Sequence, residues 1–274
     1  LSLMDEALIN KKNVRILLAN DDGIDAPGLK ILEKVANTLS SEVWIVAPVK
    51  EQSATGHSLT LRRPLRIIKR GQRRFAVNGT PTDCVLLAVN QIMKHCKPDL
   101  VLSGINKGRN VGEDMTYSGT VAAAMEATLF GIPAIALSQD MNEEDHRDLS
   151  QNTKRIYSAA QGYAAQVIKK VTQVAWQKDV LINVNFPAVL SKDVRGIEVT
   201  REGRSNKLSD EIIEHRDPRD KRYYWIGQKR GSTKHPVGTD INAIERNAIS
   251  ITPISMNLTH KPTIKILKGV FGSD

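Results

Sequence analysis

Five short segments are almost unbroken in their apolar character: Val14–Ala19, Val43–Pro48, Leu100–Ser103, Ile132–Ser138 and Val180–Phe186. A strand with one solvated face alternates apolar and polar residues, whereas a strand covered on both faces has no such need. These segments therefore read as strands of a parallel sheet held between helices. The stretches between them supply the helices. Pro27–Leu39 sets Leu29, Ile31, Leu32, Val35 and Ala36 at helical spacing, and Thr82–His95 does the same with Val85, Leu86, Val89 and Ile92. Thr120–Phe130 is rich in helix formers and stops at Gly131, and Arg155–Val174 reads as a further long helix. The alternation predicts an α/β fold: a three-layer α/β/α Rossmann-like core with a mostly parallel sheet over residues 14–190, preceded by an N-terminal extension, 1–13.

The pattern changes after Pro187. Charge is dense from Arg195 to Lys234, where two β-like runs, Ile197–Thr200 and Tyr223–Gly227, flank very polar sequence. Such a stretch is too hydrophilic for a core and reads as a projecting β-hairpin arm over about 195–234. Ala248–Ile254 returns to strand character, and Ile264–Leu267 reads as one more short strand. An arm of this kind commonly reaches a neighbouring subunit, so residues 191–274 are expected to form a C-terminal oligomerisation region.

Composition narrows the class. No run approaches the roughly 18 apolar residues of a membrane span. The two cysteines, Cys84 and Cys96, cannot form a disulfide framework, and the first twelve residues show no secretory pattern, so a cytoplasmic protein without membrane association is expected. Lys and Arg number 39 against 30 acids, a net charge of +9. The excess sits in clusters, one at Lys69, Arg70, Arg73 and Arg74 and one between Arg216 and Lys234, which read as solvated loop faces. Aromatics at 4% do not suit a base-stacking surface, so no specific nucleic-acid partner is expected.

In an open parallel sheet, ligands bind beyond the carboxyl ends of the strands. The first strand is followed by Asn20-Asp21-Asp22-Gly23, with Asp25 expected to begin a helix whose first turn holds Pro27. The second is followed by a loop carrying Ser53 and His57, and the third by Ser103-Gly104-Ile105-Asn106 and a glycine-spaced loop that ends at Ser118-Gly119-Thr120, a helix start. Singly, these are a turn, a loop and a cap. Together they set hard oxygen donors beside a helix N-terminus. The oxygens suit Mg²⁺, Mn²⁺ or Ca²⁺ rather than zinc, and the helix end suits an anion. A cation beside an anion site points to phosphate chemistry. The chain lacks G-x-G-x-x-G after its first strand, a Walker-type loop and a G-x-S-x-G elbow.

The strings Ile16–Gly23, Ala26-Pro27-Gly28, Gln52-Ser53, Ser58-Leu59-Thr60, Val77–Cys84, Pro98–Asn106 and Tyr117–Glu126 resemble the SurE family of survival-protein nucleotidases, with a weaker return at Gly238-Thr239-Asp240 and Ser250–Pro253. Two departures stand out: Asn247 and Ala127 occupy positions where the family commonly has glycine. The resemblance implies a metal-dependent phosphomonoesterase acting on nucleoside 5′-monophosphates, with 3′-monophosphates and short polyphosphate as further substrates. It implies Asp21, Asp22, Ser53 and Asn106 as ligands of one divalent ion per subunit, and Asn110, Ser118, Gly119 and Thr120 as the phosphate-binding set. It also implies a homodimer or homotetramer with exchanged C-terminal segments. Asp21 and Asp22 are the candidate catalytic residues, orienting or deprotonating the attacking water; an aspartyl-phosphate route is the lesser mechanism. The rival reading is a nucleotide- or nucleic-acid-binding module without turnover.

Overall fold

The computed structural model of the chain describes residues 13–142, 153–174, 176–204, 210–228 and 234–272. Its strands in chain order are β1 (Arg15–Ala19), β2 (Glu42–Pro48), β3 (Ile67–Gly71), β4 (Arg74–Val77), β5 (Leu100–Lys107), β6 (Ala134–Gln139), β7 (Val180–Phe186), β8 (Ile197–Val199), β9 (Asp210–Arg216), β10 (Arg222–Gln228) and β11 (Ile249–Ser255). Nine of them form one sheet in the order β3-β4-β2-β1-β5-β6-β7-β11-β8, and β9 pairs with β10 apart from it. β2, β1, β5, β6 and β7 run parallel, as the five apolar segments predict; β4 adds a sixth parallel strand beside β2, while β3 and β11 join antiparallel.

Alternate side chains of the central strands enter two apolar layers, which is why these strands have no polar face. Ile16 and Leu18 pack on one side with α1 (Pro27–Asn37) and α4 (Ser158–Val171). Leu17 and Ala19 pack on the other with α2 (Pro81–Leu87) and α3 (Gly119–Leu129). α3 is built from TVAAAMEATL after its glycine, and its small residues Ala122, Ala123, Ala124 and Ala127 are all buried, so the helix lies close against the sheet. Ala127 is one of the positions where the family has glycine, and the methyl is accommodated there.

The structure departs from the sequence reading in several places. The cluster Lys69, Arg70, Arg73 and Arg74 lies on the β3–β4 hairpin and not in a loop. β3 is exposed along its whole length at the sheet edge, and its charges oppose pairing with another chain. The arm is present, but β10 pairs with β9, setting Trp225 opposite Ile213, while Ile197–Val199 runs parallel to β11 in the main sheet. Ile264–Leu267 lies within a helix, α6 (Lys261–Phe271): Pro262 occupies its first turn, and Gly272 ends it at φ 62°. The helix expected over Arg155–Val174 is a single turn, Thr153–Ile156, followed by α4. Asp25 does not cap α1; Ala26 holds that position without a side-chain bond and Pro27 follows. Asn247 stands at φ 61°, a conformation asparagine tolerates better than most residues. Residues 1–12 and the arm segments 205–209 and 229–233 lie outside the described residues. Among the described residues no helix is long and apolar enough to cross a membrane.

Candidate active site

β1, β2 and β5 are parallel neighbours, so the loops that follow them open on one edge of the sheet. The first loop is a tight turn. The Asn20 amide donates to the Gly23 carbonyl at 2.9 Å, and Gly23 adopts φ +102°, which an L side chain rarely does. Two main-chain bonds fasten the next loop to it: Gln52 N donates to the Asp21 carbonyl and Ile24 N to the Pro48 carbonyl, both at 2.8 Å. Asp21 is left 4% exposed, its carboxylate accepting the Thr120 hydroxyl. Asp22 is half-buried and accepts the Lys107 main-chain N–H at 3.3 Å.

The start of α3 approaches this turn closely. Ser118 caps the helix, its Oγ accepting Val121 N at 3.1 Å. Gly119 is required: a Cβ there would stand 2.7 Å from the Asp21 Cβ and 3.0 Å from Pro81 Cγ. Thr120 was expected to bind phosphate, yet its hydroxyl is given to Asp21, so in the structure it fixes a carboxylate. The β5 end is shaped by another indispensable glycine, Gly104 at φ +135°, where a Cβ would collide with the Leu137 carbonyl oxygen.

The electrostatics of the turn are unfavourable as they stand. Burial raises the pKa of Asp21, opposed by hydrogen bonds from Thr120. Burial, and then the charge of Asp21, pushes Asp22 up to about 7, with Lys107 pulling the other way. Tyr157 is also buried beside them: its hydroxyl is raised by burial and then by Asp22 and Asp21. The Asn20 Oδ1 is buried without a partner. Paired carboxylates that resist ionisation beside an orphaned amide oxygen fit a hard divalent ion, which would offset the repulsion and take oxygen donors. Among the described residues no group of three or more His, Cys, Asp and Glu could hold a metal.

Asn106 stands at the end of β5, its amide nitrogen spent on the Gly108 carbonyl at 2.9 Å, which frees Oδ1 to ligate. Ser53 is exposed and gives its hydroxyl to Glu51 at 2.7 Å. Asn110 is buried and held on several sides. Its N–H donates to Asn185 Oδ1 at 2.7 Å, its carbonyl accepts Asn183 and Asn185 amides at 2.8 and 3.0 Å, and its amide donates to Ser138 Oγ at 2.8 Å. The Ser138 hydroxyl can give as well as take, so the Asn110 amide can be satisfied with either end turned out.

Sequence reasoning missed several of these residues. Tyr157 gives no local signal, and Asn183 and Asn185 sit on a strand that reads as apolar. His57, on the loop after β2, bonds Glu126 of α3 through Nε2 at 2.9 Å and braces that loop against the helix.

Comparisons with known proteins give the family and the fold. Residues 16–209 match the family described as Survival protein SurE. A 5'-nucleotidase SurE from Paramagnetospirillum magneticum is 54% identical over 259 residues, covering 94% of this chain and 96% of the relative. One from Rhodospirillum rubrum is 52% identical over 268 residues, covering 98% and 100%. A crystal structure of SurE from Aquifex aeolicus superposes with a TM-score of 0.80 at 36% identity, covering 93% of this chain and 99% of that one.

Proposed function

The chain belongs to the SurE survival-protein family, and on that premise we propose that it is a nucleotidase, hydrolysing nucleoside 5′-monophosphates to nucleoside and phosphate. The observation that carries the reading is the contact between Asp21 and the N-terminus of α3, with Asp22 beside them at the mouth of the site. A cation site and an anion site touch there, as phosphoryl transfer requires.

Asp21, Asp22, Asn106 and Ser53 are the residues we assign to hold one divalent ion, Mg²⁺ or Mn²⁺. When bound, such an ion supplies Lewis-acid polarisation of the phosphoryl group and acidifies water. Ser53 would have to give up its bond to Glu51 to ligate such an ion. Asp21, fixed by Thr120, serves as the rigid ligand. Asp22 is the more accessible carboxylate and takes the orienting role, accepting a hydrogen bond or a proton from the attacking water. The N-terminal end of α3, at the Gly119 main-chain N–H, and the Asn110 amide donate to the phosphoryl oxygens, where negative charge collects in the transition state. Ser118 contributes by holding that helix end in shape.

We assign residues 14–190 to catalysis and 191–274 to assembly, a division by role since β8 and β11 complete the same sheet. Ile212, Trp225 and Ile226 of the arm and Ile266, Val270 and Phe271 of α6 are exposed, which supports a homodimer or homotetramer built on these segments. Free Cys84 and Cys96 suit a reducing, cytoplasmic setting. The direct test is phosphate release by the purified chain from 5′-AMP, 3′-AMP and tripolyphosphate. The reading expects turnover with 5′-AMP; binding of 5′-AMP without release would favour a binding module instead.

A further inference from the structure

Asp240 opens α5 (Asp240–Glu245) and is fully buried at 0% exposure, far along the chain from every residue assigned to the site. Its carboxylate accepts three main-chain N–H groups. Oδ1 takes Gly203 N at 2.7 Å and its neighbour Ile241 N at 2.8 Å, and Oδ2 takes Gly112 N at 2.8 Å. Neither glycine can be replaced without disturbing this. A Cβ on Gly203 would stand 2.9 Å from Oδ1, and one on Gly112, at φ +51°, would stand 3.1 Å from the Gly203 carbonyl oxygen. Apolar contact adds to the attachment, because Ile241 and Ile244 form a small buried cluster with Val111.

Gly112 and Val111 directly follow Asn110, whose main chain is held from the opposite side by Asn183 and Asn185. Asn110 therefore sits between two clamps, one on β7 and one on α5. A buried carboxylate is costly unless its lone pairs are used, and here one N–H comes from its own helix while the other two, Gly112 and Gly203, come from loop backbone, that of Gly112 two residues after Asn110. We propose that Asp240 is a positioning residue for the phosphate-binding end of the site, holding the segment 108–112 so that Asn110 meets the phosphoryl group. The inference rests on the nucleotidase reading above and extends it to the C-terminal region.

The test is Asp240→Asn in the full chain. Asparagine keeps the shape and one acceptor oxygen, but sets its NH₂ against one of the N–H groups, donor against donor. The KM for 5′-AMP and the inhibition constant of inorganic phosphate should each rise about tenfold, the loss of one charge-assisted hydrogen bond, while Mn²⁺ affinity stays as in the unaltered chain. Gly203→Ala, which displaces the carboxylate without removing its charge, should give the same pattern and serves if Asp240→Asn does not fold. Val167→Ala, a cavity in α4 away from this loop, should lower the melting temperature and leave phosphate inhibition unchanged. The inference is overturned if a folded Asp240→Asn chain binds phosphate normally, if Mn²⁺ affinity falls in step with phosphate affinity, or if Val167→Ala reproduces the effect. An unaltered chain that neither binds nor releases phosphate would instead overturn the functional reading, and this inference with it.

Discussion

The two ends of the chain are anomalous in opposite ways. At the carboxyl ends of β1 and β5, polar groups are buried: Asp21 and Asn20 are almost wholly enclosed, and Asp22 is pushed up to about 7 by burial and then by its neighbour. In the arm and α6, apolar groups are exposed, with Ile226 at 78% and Phe271 at 77%. Each arrangement is costly for the isolated chain, and each cost would be removed by a different kind of partner. Buried carboxylates call for a cation that brings positive charge inward. An exposed apolar face on a helix and a two-stranded arm calls for another protein surface. The glycines sharpen the contrast: those at the site, Gly104 and Gly119, are pressed against other atoms, whereas Gly269 of α6 has nothing within 4 Å.

Removing a charge at the first region should have the largest effect. Asp21→Asn and Asp22→Asn should each lower kcat for 5′-AMP on the order of 100-fold or more, with circular dichroism unchanged, because the strand layer beneath is untouched. In the second region, Trp225→Ser with Ile226→Ser, or Ile266→Ser with Phe271→Ser, should halve the mass found by sedimentation while the core still melts cooperatively. If the mass is unchanged by both pairs, exposure there does not mark an interface. Thr120→Val removes the hydroxyl on Asp21 and should weaken Mn²⁺ binding about tenfold, measured by calorimetry, with a smaller effect on phosphate.

The smallest effect is one of pH. Asp22 in the fold, near 7, stands above its ordinary value of 3.8. The metal-free fold therefore binds more protons than the unfolded chain between these values, and its stability falls as pH rises through about 7. A divalent ion takes the ionised form, so the rise in melting temperature caused by Mn²⁺ should be a few °C larger at pH 8 than at pH 6, by an order-of-magnitude reckoning.

Much of this was legible in the sequence, for physical reasons. Unbroken apolar runs identify β1, β2, β5, β6 and β7, and reading the residues after each strand finds Asp21, Asp22, Asn106 and the start of α3. β9 escaped because Ile212 and Ile213 are flanked by charges, and only pairing with β10 makes that segment a strand. α6 escaped because four residues, Ile264–Leu267, fit either period; Pro262 and Phe271 decide it. Thr120 on Asp21, Tyr157 beside the carboxylates and Asp240 on Gly112 arise from contacts across 99 and 128 residues in the two hydrogen-bonded cases, and no local pattern announces them.

The central claim is that the carboxylate pair after β1, loaded with a divalent ion, drives phosphate release. It is tested by assaying 5′-AMP hydrolysis after exhaustive chelation, then with Mn²⁺ or Mg²⁺ restored, in the unaltered chain and in Asp22→Asn. The account predicts no release after chelation, recovery on adding the ion in the unaltered chain, and little recovery in Asp22→Asn. Full activity in the chelated protein, or in a folded Asp22→Asn chain, would contradict it.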